Sequence, residues 1–140
     1  MVLALVVGCT QIDPPEGYVR DPNNQTYDYK AVSARGHAIG VKRRPNTDKS
    51  ATLLFWTEAI EHQKCDIDGY KLASKNDIKS AGGLPGVLFN FEFGEGQSKL
   101  TYLVALYVTP SNIITIEAAG PTADLTDELA SIRQSMESLR

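Results

Sequence analysis

The period of the apolar positions changes several times along this chain, and each change marks an element. Tyr27, Tyr29 and Ala31 interleave with Asp28 and Lys30, which predicts a half-buried strand. A turn at Ser33-Ala34-Arg35-Gly36 follows, with glycine where a positive φ costs little. His37, Ile39, Val41 and Arg43 alternate with Ala38, Gly40 and Lys42 and complete a hairpin, which Pro45 ends. Over residues 50–64 the period becomes helical. Thr52, Phe55, Trp56, Ala59, Ile60 and Gln63 recur at helical spacing, with Glu58, Glu61 and Lys64 on the other side. Asn46-Thr47-Asp48 offers N-caps for this helix, and Cys65 to Gly69 ends it.

Alternation then returns. Tyr70, Leu72 and Ser74 predict a strand, and the glycine-rich stretch from Ala81 to Gly86 a turn. Val87, Phe89, Phe91 and Phe93 share one face of the next strand, a strong period-two signal. Leu100–Val108 is apolar on both faces, which predicts a central strand covered on both sides. Ile113 to Ala119 forms the last strand after a turn at Thr109–Asn112. Leu125, Leu129, Ile132, Met136 and Leu139 then make one helical stripe. The expected order is β-β-α-β-β-β-β-α. This is an α+β domain with an antiparallel sheet of about six strands and helices packed on its faces. Its expected core comprises Phe55, Trp56, Ile60, Phe89, Phe91, Tyr102, Val104, Leu106, Ile114, Ile116, Leu129, Ile132 and Met136.

This order is similar to the PsbP-like fold over residues 27–140. The resemblance rests on the order itself, on Gly69-Tyr70-Lys71-Leu72, on Gly86 opening the phenylalanine-rich strand, and on two long paired strands before the last helix. It implies a binding or assembly role rather than catalysis, and it transfers no site residue.

The first residues carry a different kind of signal. The apolar run Val2 to Val7 is followed by Gly8 and Cys9, and Val6-Val7-Gly8-Cys9 resembles the lipobox of bacterial lipoproteins. The resemblance implies that residues 1–8 are a signal-peptide remnant and that Cys9 becomes the lipidated N-terminus. The opposing reading is a buried N-terminal strand with an incidental cysteine, and no Lys or Arg precedes Val2 to form a positive n-region. Residues 10–26 contain Pro14, Pro15, Gly17, Pro22, Asn23 and Asn24 with few apolar positions, which predicts a flexible tether. Seventeen such residues span at most ~60 Å. The expected organisation is 1–8 leader, 9–26 lipidated cysteine and tether, and 27–140 a single domain. Thr10 is not the Asp that resembles an inner-membrane retention signal, so the periplasmic face of the outer membrane is favoured where the cell has one. With Cys9 acylated, Cys65 has no partner within the chain; with Cys9 unmodified, a Cys9–Cys65 bridge is open.

Composition narrows the function classes. A net charge of -3 leaves no basic footprint for nucleic acid, and no segment approaches the ~20 apolar residues of a membrane-spanning helix. His62, Cys65, Asp66 and Asp68 lie close in sequence and are weighed as a metal site, but the only other histidine, His37, belongs to another element. A solvated helix end, with His62 and Lys64 at the negative end of the helix dipole, is the favoured reading. No cofactor is expected. Glu92 and Glu117 are weighed as a carboxylate pair for acid–base chemistry against the wet faces of two strands.

Two surfaces remain as partner-binding candidates. Arg35, Lys42, Arg43 and Arg44 cluster on the first hairpin, where they would meet anionic headgroups or guard a sheet edge. Trp56, the sole tryptophan, lies in an unusually apolar helix start with Leu53 and Phe55. The expectation is therefore a non-catalytic envelope lipoprotein domain, membrane-bound through its lipid, which binds or helps assemble a membrane-associated protein complex. A small-ligand or metal-binding lipoprotein, and an enzyme using the carboxylates, are the alternatives.

Overall fold

A computed structural model describes residues 11–48 and 51–140. Cys9 and the lipobox-like residues before it lie outside the described residues. Seven strands form one antiparallel sheet: β1 (Tyr18–Arg20), β2 (Tyr29–Ser33), β3 (Ala38–Pro45), β4 (Lys71–Lys79), β5 (Pro85–Phe93), β6 (Leu100–Val108) and β7 (Asn112–Pro121). Their spatial order is β1-β2-β3-β7-β6-β5-β4. Helix α1 (Leu53–Glu61) follows β3, while α2 (Thr122–Leu125) and α3 (Leu129–Glu137) close the chain.

Six strands were expected, and the seventh comes from the stretch read as tether. β1 pairs with β2 from Tyr18 opposite Ser33 to Arg20 opposite Ala31. Ile12 and Tyr18 are only 3% and 5% exposed. The Asp13 amide donates to Ser138 Oγ at 2.7 Å, and the Arg140 amide to the Gln11 carbonyl at 3.2 Å. The tether expectation is thus corrected for residues 11–20. Proline and polar residues erase any apolar period there, whereas the docking uses backbone bonds and two isolated apolar anchors.

Register assigns each side chain to a layer. On one face Ile39, Val41, Leu88, Leu103, Ala105, Tyr107, Ile114 and Ile116 meet Leu125, Ile132, Met136 and Leu139 from the C-terminal helices. On the other, Val87, Phe89, Phe91, Val104, Leu106 and Ile113 meet Leu53, Trp56 and Ile60 of α1. β6 contributes to both layers, as its two apolar faces predict, although β7 occupies the middle of the sheet. Phe89, Phe91, Val104, Leu106, Ile114, Ile116, Ile132 and Met136 are buried as expected. Trp56, Ile60, Tyr102 and Leu129 are half-buried.

Phe55 departs from its expected place and is 55% exposed. The face that meets the sheet is centred on Leu53, Trp56, Thr57 and Ile60, at i, i+3, i+4 and i+7, which turns Phe55 outward. The cap differs as well. Thr52, not residues 46–48, accepts from the Phe55 amide at 3.2 Å. Beyond Glu61 the helix widens into a π turn, His62–Ile67, where the Asp68 amide donates to the Gln63 carbonyl. The last helix is also divided. A 3-10 turn at Thr126–Glu128 separates α2 from α3, and the Thr126 hydroxyl donates back to the Thr122 carbonyl at 2.7 Å, a bond that competes with helical pairing.

The tyrosines set the alkaline limit of this packing. Tyr107 is fully buried and its hydroxyl donates to the Met136 carbonyl at 2.9 Å. Burial, then the charge of Glu137, raises its phenol above the usual range, and burial with the Glu128 carboxylate pushes Tyr18 up to about 12. A folded-state pKa above the unfolded one stabilises fully below the unfolded value near 10 and is lost as pH rises through the folded value. Unfolding free energy should therefore fall above pH ~10, by about 1.4 kcal/mol per pH unit for Tyr107. Urea titrations at pH 9 to 11.5 check this, and Tyr107→Phe should flatten the slope.

Candidate binding groove

Helix α1 covers β5, β6 and Ile113 of β7 but leaves much of its side of β3 and the rest of β7 uncovered. Strand alternation decides what is displayed there. In β7, Ile114, Ile116 and Ala118 enter the opposite core, so Ile113, Thr115 and Glu117 face the α1 side. In β3, Gly40, Lys42 and Arg44 stand opposite Glu117, Thr115 and Ile113. A side chain at Gly40 would strike the Tyr27 ring, so glycine is needed for that ring to lie on the sheet.

Two cavities result, and both are walled by Glu117. One, of about 220 Å³, is lined by Arg44, Trp56, Ile60, Gln63, Lys64, Val104, Ile113, Thr115 and Glu117. The other, of about 150 Å³, lies among Tyr27, Ala38, Gly40, Tyr102 and Glu117 to Ala119. The π turn places Gln63 and Lys64 on the groove's rim. Lys64 Nζ lies 4.6 Å from the centre of the Tyr102 ring and 3.4 Å from Asp68 Oδ2. Tyr27 donates to Glu117 Oε2 at 3.4 Å. Burial, followed by the Glu117 charge, holds both Tyr27 and Tyr102 above the ordinary phenol range, so both hydroxyls remain protonated donors. Trp56 Nε1 is buried without a hydrogen-bond partner among the described residues. The groove thus combines an apolar floor, one carboxylate, two cations at the rim and the Trp56 side chain in its wall.

The basic cluster read from the sequence divides. Lys42, with Nζ 5.0 Å from the Tyr27 ring centre, and Arg44 lie on the groove side. Arg43 takes the opposite face, its amide donating to Asp28 Oδ2 at 2.6 Å. Arg35 sits at the far turn of the hairpin, 3.4 Å from Glu128 and 3.9 Å from Asp124. Trp56 and Arg44 are brought together.

The other candidates do not assemble. Glu92 faces the α3 side and pairs with Lys99 at 3.0 Å, whereas Glu117 faces the α1 side, so the sheet separates the two carboxylates. His62 is exposed and pairs with Asp66 at 2.8 Å, while Cys65 packs against the α1-side core. Burial, then Glu61 and Asp66, raises the Cys65 thiol, which disfavours the reactive thiolate. No group of three His, Cys, Asp or Glu positioned for a metal occurs among the described residues. Sequence reasoning missed Tyr27, Gln63, Lys64, Tyr102 and Thr115 as groove residues. One signal was present: Thr115 and Glu117 interrupt one face of an otherwise apolar strand.

No family model matches this chain, and no curated protein matches it. Its fold has solved counterparts. The chain is similar to PA94 of Pseudomonas aeruginosa, a protein of unknown function described as a putative regulator, at 16% identity and a TM-score of 0.57, over 94% of this chain and 83% of that one. LpqN of Mycobacterium tuberculosis, involved in cell envelope biogenesis, matches at 11% identity and a TM-score of 0.70, over 91% and 80%. CyanoP, the cyanobacterial PsbP of Synechocystis sp. PCC 6803, matches at 11% and 0.61, over 90% and 82%. At such identities the likeness is one of architecture, and that architecture is the PsbP-like α+β fold.

Proposed function

We propose that this chain is a non-catalytic binding module of the bacterial envelope, anchored through Cys9, which helps assemble a membrane-associated complex by receiving a partner segment in the groove beside α1. The observation that carries this is the groove itself, which sets Trp56, Val104 and Ile113 beside Arg44, Lys64 and Glu117. Tryptophan and arginine are among the residues most enriched at the energetic centre of interfaces. An apolar side chain over Trp56 and Ile113, and acidic groups toward Arg44 and Lys64, would complete the site. LpqN's part in cell envelope biogenesis and the lipobox-like Val6-Val7-Gly8-Cys9 support an envelope setting.

The anchor and the groove are tested separately. Cys9→Ser should move the protein from the membrane to the soluble fraction; equal partitioning of both forms would remove the anchor. Crosslinked purification from the native membrane should recover one stoichiometric protein complex with the parent. Thr115→Trp, which fills the groove, should cut that recovery at least about tenfold, as expected when an interface centre is blocked. Unchanged recovery would place the partner elsewhere. Repeated co-purification of a small molecule with no protein would replace the assembly role with ligand binding.

A further inference from the structure

The docked N-terminal segment fixes where a membrane would lie. Gln11 accepts from the last amide of the chain, Arg140, and Asp13 pairs with the Arg140 guanidinium at 3.0 Å. The β4–β5 turn is bonded to the same point, with the Ala81 amide on the Glu137 carbonyl and the Gly82 amide on that of Leu139. Cys9 is two residues before Gln11, so it reaches no farther than ~7 Å from it. A tether of 17 residues would have left the domain free to tumble; two residues do not.

The same end of the sheet carries the start of α1. Leu53 and Leu54 flank Asp77 and Val87, a paired position two steps from the β4–β5 turn. Leu54 and Phe55 are 67% and 55% exposed. Arg43 and Arg44 reach this end beside the β6–β7 turn, opposite Ile114 and Ile113. Asp48 and Asp77 are here as well, so the contact rests on the apolar pair more than on charge.

We propose that the domain stands end-on on a lipid bilayer, with Leu54 and Phe55 in the headgroup region and the groove held upright beside it. This rests on the anchor at Cys9 and adds the orientation it enforces. Exposed aromatic and aliphatic residues at a helix start are suited to the interface, where they orient a domain that the lipid at Cys9 retains. The opposite end, where Phe93 and Leu100 are also exposed, would point away from the membrane.

The test places single tryptophans at the two ends. In a Cys65→Ser, Trp56→Phe background, Phe55→Trp and Phe93→Trp are coupled through Cys9 to a maleimide lipid in phosphatidylcholine–phosphatidylglycerol vesicles, with or without brominated acyl chains. Coupling supplies the anchor chemically, so the orientation is measured whether or not the cell acylates Cys9. Brominated lipid should quench the residue-55 probe by roughly twofold and leave the residue-93 probe unchanged. Equal quenching of both, or quenching of neither, would overturn the end-on orientation while leaving the Cys9→Ser fractionation to judge the anchor. A blue shift at residue 55 without quenching would mean that protein covers the patch, and would also overturn it. Leu54→Trp repeats the measurement if Phe55→Trp does not fold.

Discussion

Val104→Asp should leave the domain largely unfolded at room temperature. Val104 is 2% exposed, lies between β5 and β7, and packs in the α1-side core with Phe89, Phe91 and Leu106. Aspartate there would bury a charge in the apolar layer directly opposite the Glu117 carboxylate on β7. A substitution of this class costs several kcal/mol, against a total stability of about 5–15 kcal/mol for a domain. Far-UV circular dichroism and a urea titration on the Cys9→Ser form read the effect, with Val104→Ala as the milder control. A variant melting with the parent would mean that residue 104 does not face a packed layer.

Ile12→Ala separates a docked N-terminal segment from a tether. Ile12 is 3% exposed and belongs to the core beneath the C-terminal helices. Truncating a buried isoleucine to alanine costs about 2–5 kcal/mol, which lowers a melting temperature by about 10 °C in a domain of this size. The same change in a tether would stay within about 0.5 kcal/mol. The result also bears on the membrane orientation, because the short reach from Gln11 to Cys9 depends on residues 11–13 being docked.

The correspondence between sequence and structure follows the strength of the local signal. Val87 to Phe93 and Leu100 to Val108 read plainly, because a period of two, or its loss on a doubly covered strand, is written in consecutive residues. The stripe Leu125, Leu129, Ile132, Met136 and Leu139 named the side chains that meet the core, with Leu129 half-buried and the other four buried. It did not reveal the break at Thr126–Glu128, where hydroxyl-to-carbonyl bonding and the Glu128 contact with His37 compete with helical continuity. Phe55 was misplaced because a helix start this apolar admits more than one buried stripe, and only the sheet beneath selects among them.

What the sequence by itself determined is the α+β class, the apolar faces of the three long strands from Pro85 to Pro121, and the burial of both sides of β6. Each is encoded by spacing within a short window, so local periodicity suffices. Tertiary structure alone decided the rest. β1 exists because β2 offers an open edge, and Ile12 is buried because the C-terminal helix leaves room for it. Glu92 and Glu117 are parted because register sets them on opposite faces of one sheet. Trp56, Arg44, Thr115 and Glu117 meet because β3 pairs with β7 across some seventy residues of chain. Such contacts depend on which distant strands become neighbours, and no local pattern of apolar residues carries that choice.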